Sequence, residues 1–444
     1  MATSVGARRK AAPSAFKTEI EVCIGKRGLQ VGHLVHTKDG QREFSVFAYD
    51  DSWLGSAEHF EVSPDLPLTT GYQVRKPPTR DDSCFFLALA DTEPDAWGRR
   101  VIARAHAKER RRDPSLEALT ELDYLYAVDD FSRVGALRLR GTHGDYLETV
   151  EEGKRATPPL LELEHLMRAS RAVELSQETA EDLRYLRGKA TSLGGLRPKC
   201  TVLEEDATLA LGKFPSVQDT RSVTRGEALA LRLARAAGIE TADARIVLVQ
   251  GTPVVVVKRF DRVADGGRIP YLSGASFLQA SRNDERAYTE MVDAMATRCL
   301  AAADDARALW RRLVFNLLIT NVDDHLQNIG FLHVANGWWR LAPAFDLNPF
   351  PDKDRESKTW LSEDAGPITS IAQLVEHANR FHLGKARALE ILAEICAALG
   401  GWRAVAASAE VGMSPADIED YVVAFEHGEL AAARALIASS CTAR

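Results

Sequence analysis

Asn316-Leu317-Leu318-Ile319-Thr320-Asn321-Val322-Asp323-Asp324-His325-Leu326-Gln327-Asn328 packs two adjacent acids, a histidine and further asparagines against the apolar run 313–319. Such polar density beside a core is costly unless every group is satisfied or used. Asp323 and Asn328 stand five positions apart. That spacing suits phosphoryl transfer. One carboxylate accepts a hydroxyl proton and orients the nucleophile, while an amide oxygen one short loop away holds a divalent cation on the phosphates. Asp324 competes for the carboxylate role at a spacing of four. Asp323, Asp324 and His325 also admit a metal-hydrolase reading, which needs further ligands. His333 is the other histidine close in sequence. His325 is therefore expected to brace the loop by hydrogen bonding.

Downstream, 331–334 and 338–341 flank Asn336-Gly337, the preferred type I′ turn pair. A hairpin there returns the chain and sets Asp346, in Leu341-Ala342-Pro343-Ala344-Phe345-Asp346, beside Asn328. Protein kinases place a magnesium-binding Asp similarly after the catalytic loop. Here the tripeptide is Asp346-Leu347-Asn348. Upstream, 208–214 reads as a strand with Lys213 near its end, and Glu227 opens a helical run over 228–237. A strand lysine can point its ammonium at nucleotide phosphates and pair with a helix glutamate. Glu227 also reads simply as a first-turn acid suited to the helix dipole. Before them comes Ser192-Leu193-Gly194-Gly195-Leu196-Arg197-Pro198-Lys199. Paired glycines let a backbone approach an anion closely, and Lys199 adds positive charge. The pattern is neither a Walker A nor a GxGxxG sequence, and a plain turn is its bland reading.

The remainder bounds the answer. The chain has 444 residues, 45% hydrophobic, 27% charged and 7% aromatic. That is ordinary for a packed globular protein and excludes a disordered, collagenous or disulfide-scaffold chain. At ~150 residues per domain it holds roughly three units. The net charge of −7 excludes a protein that grips nucleic acid with its whole surface. The six cysteines form no CxxC pair and read as reduced, buried thiols. No run reaches the ~18–20 apolar residues that cross a membrane. Arg8, Arg9 and Lys10 are followed by no apolar h-region, so residues 1–18 read as a disordered tail and the expected compartment is cytoplasmic. Strand character at 21–24, 33–36 and 44–49, with Asp39-Gly40 between two of them, predicts a β-rich start. A helix from about 93 carries Arg99, Arg100, Arg104, Lys108 and Arg110–Arg112, a solvated face or an anionic-partner surface. A further strand is read at 135–140, a soft boundary near 141–160, helices over 160–186, and a helical tail from 383 to about 436.

Taken together, these motifs resemble the HipA family of bacterial serine/threonine kinase toxins. The sharpest matches are 192–199, 321–328 followed by Gly330-Phe331, and 341–346. Val257-Lys258-Arg259-Phe260-Asp261-Arg262 resembles the family's hinge motif, with Lys258 where a glutamate usually stands. Val31-Gly32-His33-Leu34 and Pro94-Asp95-Ala96-Trp97-Gly98-Arg99 fit the amino-terminal part. The resemblance implies an α+β, two-lobed, protein-kinase-like fold with a β-rich N-terminal lobe and a mainly helical C-terminal lobe. Its units would be an N-terminal subdomain (19–150, placed with the nucleotide lobe), a nucleotide-binding part (151–262) and a catalytic loop with helical lobe (263–444).

It implies ATP with Mg2+, and phosphorylation of a protein serine or threonine. Asp323 would be the catalytic base, Asn328 and Asp346 the metal ligands, and Lys213 the phosphate contact. Gly194, Gly195, Leu196, Arg197, Pro198 and Lys199 would form the phosphate loop, and Val257, Lys258 and Phe260 the hinge. Ser192 matches the serine that the family autophosphorylates, and a phosphate there would repel the nucleotide and inactivate the enzyme. Family members are typically encoded with a small DNA-binding antitoxin of the HipB type, through which operator DNA is gripped. Their characterised substrates include aminoacyl-tRNA synthetases, notably the glutamyl one, whose modification blocks translation and favours persistence. Two other functions fit the same residues: a small-molecule kinase, and a non-catalytic nucleotide-binding co-repressor module.

Overall fold

Alternating apolar residues build the first sheet. β1 (Phe16–Ile24), β2 (Leu29–Asp39) and β3 (Arg42–Tyr49) form an antiparallel meander, flanked by β4 (Gln73–Arg75) and β5 (Leu137–Arg140) in the order β4-β3-β2-β1-β5. The computed structural model describes residues 16–141, 144–146, 159–187 and 195–442. Gly40, at φ +64°, turns β2 into β3 where Asp39-Gly40 predicted a hairpin. β1 begins at Phe16, inside the segment expected to be a tail. Its first residues are exposed, so hydrophobic alternation gives no signal for them.

A second antiparallel sheet follows, from β6 (Lys199–Leu203), β7 (Leu209–Lys213), β8 (Ala244–Val249) and β9 (Thr252–Lys258), in the order β6-β7-β9-β8. Successive strand residues face opposite sides. Cys200, Val202, Ala210, Val254 and Val256 pack with Trp97, Val101, Leu163, Leu166 and Leu183 of three covering helices, Ala96–Arg112, Leu163–Glu174 and Ala180–Leu186. The other face carries Lys213, Val255 and Val257.

The basic Ala96–Arg112 helix is neither a bare solvated face nor an open cationic surface along its length. Arg99 pairs with Glu93 and Glu121, and Arg104 with Glu178. Lys108 lies 3.7 Å from Glu178. Arg110–Arg112 remain exposed in its last turn, where positive charge suits the dipole.

The second half combines β10 (Tyr271–Ser273), β11 (Gly330–Ala335) and β12 (Trp338–Leu341), a three-stranded sheet, with helices Tyr288–Arg298, Ala302–Leu318, Lys385–Gly400, Pro415–Phe425 and Gly428–Thr442. The β11–β12 hairpin turns at Asn336 and Gly337, both at positive φ, as a type I′ pair requires. Ser414 caps the Pro415–Phe425 helix in a capping box with Asp417.

Cores join these parts unequally. Ile20, Val31, Phe47 and Phe85 of the first unit belong to one continuous core with Phe277, Trp310, Phe331, Ile391 and Phe425. Trp97 and Val101 instead join the core of the second sheet. The amino-terminal segment thus straddles the molecule: its sheet packs on the helical half and its long helix on the second sheet. It does not simply extend the nucleotide lobe. Cys23, Cys84, Cys200, Cys299 and Cys396 are buried and unbridged. Among the described residues no helix is long and apolar enough to cross a membrane.

Candidate active site

β7 delivers Lys213 to the inner face of the second sheet, and the Val223–Ala236 helix brings Glu227 beneath it. The Lys213 ammonium lies 2.6 Å from Glu227 Oε1 and 2.6 Å from Asp346 Oδ1. One cation thus ties the sheet, the helix and the segment after β12. All three groups are largely buried, so the charges depend on one another. Burial alone would raise the Asp346 carboxyl, but the Lys213 and Lys199 ammoniums outweigh it and hold it at about 2. Burial pushes Glu227 up, only partly offset by Lys213. Lys213 itself is raised: burial works against its charge, and the two carboxylates overcome it. Asp346 sits at φ +54°, a left-handed conformation that Asp tolerates better than most residues. The Asn348 side-chain amide donates to its Oδ1 at 3.0 Å.

The Ala302–Leu318 helix runs into the polar loop. There the two adjacent acids separate. Asp324 is buried. Its Oδ2 accepts from the Tyr288 hydroxyl at 2.7 Å and its Oδ1 from the Lys358 backbone N–H at 2.7 Å. Burial raises its carboxyl to about 6, against these hydrogen bonds. Asp323 is one-third exposed, contacts the Lys358 ammonium, and has His325 Nε2 at 3.8 Å. Of the two acids, Asp324 is the buried and anchored one and Asp323 the more accessible. Asn328 donates from Nδ2 to the Asp323 carbonyl at 2.8 Å, which commits the amide nitrogen and leaves its oxygen for another partner. The β11–β12 hairpin then carries the chain back, with the Ala342 N–H donating to the Gly330 carbonyl at 2.8 Å.

Asn328 and Asp346 offer an amide oxygen and an ionised carboxylate. Hard oxygen donors of this kind fit a magnesium-like cation. His333, by contrast, stacks on Phe60 at 3.9 Å, and its Nε2 accepts from the Gly337 N–H of the hairpin at 3.1 Å. It adds nothing to His325, so the metal-hydrolase grouping is not assembled. Among the described residues, the His/Cys/acid trio with ligand atoms within 4.8 Å is His36 and Glu43 of the first sheet with Cys84 from the loop after β4.

The glycine-rich segment is described from Gly195 onward; Ser192 and Gly194 lie outside the described residues. Gly195 adopts φ +106°, and a Cβ there would stand 2.9 Å from Lys199 Nζ. Its carbonyl accepts from the Trp97 N–H at 3.3 Å. Leu196 is exposed, Arg197 is paired with Asp219, and the Pro198 carbonyl accepts from the Phe214 N–H. Lys199 departs from its expected role as an open phosphate cation. It is opposite Lys213 in the β6–β7 register, 2% exposed, with Nζ 3.1 Å from Asp95 Oδ2. Asp95 comes from the cap of the long basic helix, so that helix start is bolted under the loop.

The hinge also needs correcting at one residue. Val257 lines the inner face with Val255, Ala228 and Ala242, joined by Phe260 and Phe345, an apolar patch beside Lys213. Lys258 has the opposite parity, is exposed, and lies 3.5 Å from Asp206. Its side chain does not join the inner face. The next residues form a buried ionic staple. Asp261 Oδ1 accepts from Arg259 Nε at 2.7 Å, and Oδ2 accepts from Arg262 at 2.8 Å and the Gly135 N–H at 2.7 Å. Burial opposes the Asp261 charge, but the two guanidiniums win and hold its carboxyl far below the usual range. Arg259 and Arg262 also donate to the carbonyls of Ser132, Arg133 and Gly135. Sequence reasoning missed this staple, and it missed Tyr288, Lys358 and Thr359 around the polar loop. Tyr288, Lys358 and Thr359 have partners more than 30 residues away, and so do the backbone carbonyls that the staple's arginines reach, so none of these long-range contacts has a local signature.

A family model described as the HipA N-terminal domain matches residues 21–123, and one described as the HipA-like C-terminal domain matches 191–402. The chain is 26% identical over 322 residues to Putative kinase Y4mE of Sinorhizobium fredii (strain NBRC 101917 / NGR234), covering 68% of this chain and 71% of that one. In fold it is similar to HipA of the Shewanella oneidensis MR-1 toxin–antitoxin system, solved with HipB and its operator DNA. The TM-score is 0.60 at 15% identity, over 95% of this chain and 96% of that one. The sheet–helix arrangement, the lysine-centred carboxylate pair and both domain matches lead to one assignment: the chain belongs to the HipA family.

Proposed function

We propose that the chain is an ATP-dependent protein serine/threonine kinase of the toxin–antitoxin type. The observation that carries this reading is the Lys213 ammonium, 2.6 Å from both Glu227 and Asp346, with Asp323 presented on the adjoining loop. Lys213, fixed by Glu227, would contact the nucleotide phosphates. The patch of Val255, Val257, Phe260 and Phe345 would take the purine. Asn328 and Asp346 would hold Mg2+, which when bound neutralises charge on the phosphates. Asp323 would accept the proton of the attacking hydroxyl through its partly exposed carboxylate, with Lys358 beside it. Lys213 and Asp346 are both charged at neutral pH, so the site is preorganised before nucleotide arrives.

The protein substrate is proposed to be an aminoacyl-tRNA synthetase. The partner is proposed to be a HipB-type antitoxin that carries the operator contact, in keeping with the net charge of −7. Autophosphorylation of Ser192 is proposed as self-inactivation. Radiolabelled ATP added to host lysate tests the whole reading. Wild-type chain is expected to label a discrete protein band, Asp323→Asn to lose it, and Asp324→Asn to keep it. No transfer to any protein, or equal labelling by Asp323→Asn, refutes it. Preincubation with ATP is expected to silence wild type but not Ser192→Ala.

A further inference from the structure

On the far side of the helical half, a cavity of about 260 Å³ opens between the end of the Val223–Ala236 helix, the Ala302–Leu318 helix, β12 and the Lys385–Gly400 helix. Five arginines line it: Arg307, Arg311, Arg312, Arg340 and Arg387. Four of them have carboxylate partners. Arg307 pairs with Asp304, Arg311 with Glu394, Arg340 with Glu240, and Arg387 with Glu390 and Glu394. Arg312 is different. It is 8% exposed, and among the described residues no carboxylate lies within 4 Å of it. Nη2 donates to the Ala342 carbonyl at 2.6 Å, and Nε is buried without a partner. A buried guanidinium with one hydrogen bond is expensive unless a counter-ion joins it. Glu240 and Asp305 also line the cavity. Both favour the Arg312 charge from beyond ion-pair contact, while Glu240 is paired with Arg340 and Asp305 Oδ1 accepts from the Leu341 N–H at 3.2 Å.

We infer that this cavity is a binding site for a compact phosphate-bearing anion, with Arg312 as its central cation and Arg340 as a contact at its mouth. Phosphate oxygens match the forked donors of several guanidiniums at once. At about 260 Å³ the cavity has room for a compact anion and not for an extended rod such as duplex DNA, whose phosphates are spread along its axis. Its walls are not incidental. The Ala302–Leu318 helix runs into the loop of Asp323, Arg340 and Leu341 precede Asp346, and Gly238–Glu240 follow the helix of Glu227. A ligand there adjoins three of the four elements that supply the candidate active site, β7 being the exception, yet its binding does not depend on that site being a kinase.

Calorimetric titration of the full chain with inorganic triphosphate, in excess ADP to fill the cleft, tests the assignment. One triphosphate per chain is expected. Arg340→Gln, on an exposed side chain that does not endanger folding, is expected to weaken binding about tenfold, the loss of one charged hydrogen bond. Arg312→Met is expected to abolish it, and Arg403→Gln, on a remote helix, to leave it unchanged. Equal affinity in all four proteins, or no triphosphate binding by wild type, overturns the inference. So does binding of a short DNA duplex, but not triphosphate, that Arg340→Gln removes. A chain that binds triphosphate but phosphorylates nothing would sink only the kinase reading.

Discussion

Asp323 and Asp324 differ by one position and share a side chain, yet only one of them faces outward. Asp324 accepts from Tyr288 and from the Lys358 backbone. An asparagine can keep both contacts, with its amide donating to the Tyr288 oxygen. Asp324→Asn is therefore expected to retain activity and, with no charge to bury, to be at least as stable as wild type at pH 7. Asp323→Asn is expected to lose activity with no change in denaturation midpoint. The same burial sets a pH dependence. With the native carboxyl at about 6 and an unfolded value near 3.9, the folded chain holds a proton between those limits that the unfolded chain has released. Stability from this group consequently falls as pH rises from about 4 to about 6, by about 3 kcal/mol. Urea denaturation across that window is expected to show a shallower decline in Asp324→Asn. Asp346 has the opposite sign. Its folded value of about 2 gives stability that is full above pH ~4 and lost as pH falls toward 2. Lys213→Met leaves two buried carboxylates without their cation and is expected to cost about 3 kcal/mol or more, measured by chemical denaturation.

Among the elements, those with a local signature were legible. Asn336-Gly337 announced the β11–β12 hairpin because few residues accept positive φ at both positions. Ser414, Pro415 and Asp417 announced a helix start for the same kind of reason. The role of the basic Ala96–Arg112 helix was not legible, because Glu121 and Glu178, which neutralise it, belong to other segments. Nor was the staple at Arg259, Asp261 and Arg262, whose acceptors are backbone carbonyls around Ser132. A backbone carbonyl leaves no mark on sequence. The staple joins the end of β9 to the loop before β5. Asp261→Ala strands two buried guanidiniums and is expected to cost about 3–5 kcal/mol. Asp261→Asn is expected to fall between. Limited proteolysis is expected to cut first near 131–135 in both variants, and protection equal to wild type would count against the staple.

For the molecule as a whole, the polar loop disclosed a site while its supports stayed hidden. Asn336-Gly337 made the hairpin between Asn328 and Asp346 legible, because a hairpin is a short-range device. The partition of the amino-terminal segment between two cores was hidden, because apolar residues advertise burial but not their partner. That partition carries a prediction. The first sheet shares its core with Phe277, Phe331 and Trp310, so it is expected to unfold together with the helical half. Tryptophan fluorescence and far-ultraviolet circular dichroism should then give coincident transitions, and deletion of residues 16–141 should yield insoluble chain. A stable, soluble fragment from 159 onward would contradict the shared core.

The buried thiols give the molecule its own set of clocks. Cys23 and Cys84 lie in the amino-terminal unit, Cys200 on β6, and Cys299 and Cys396 in the helical half. Burial raises the first two and the last two, so none of these four is a ready thiolate. Alkylation must wait for each neighbourhood to open. Pulse labelling in rising denaturant, read by peptide mass, times those openings without introducing a probe. Cys23, Cys84, Cys299 and Cys396 should label in step, whereas Cys200 is free to keep its own time.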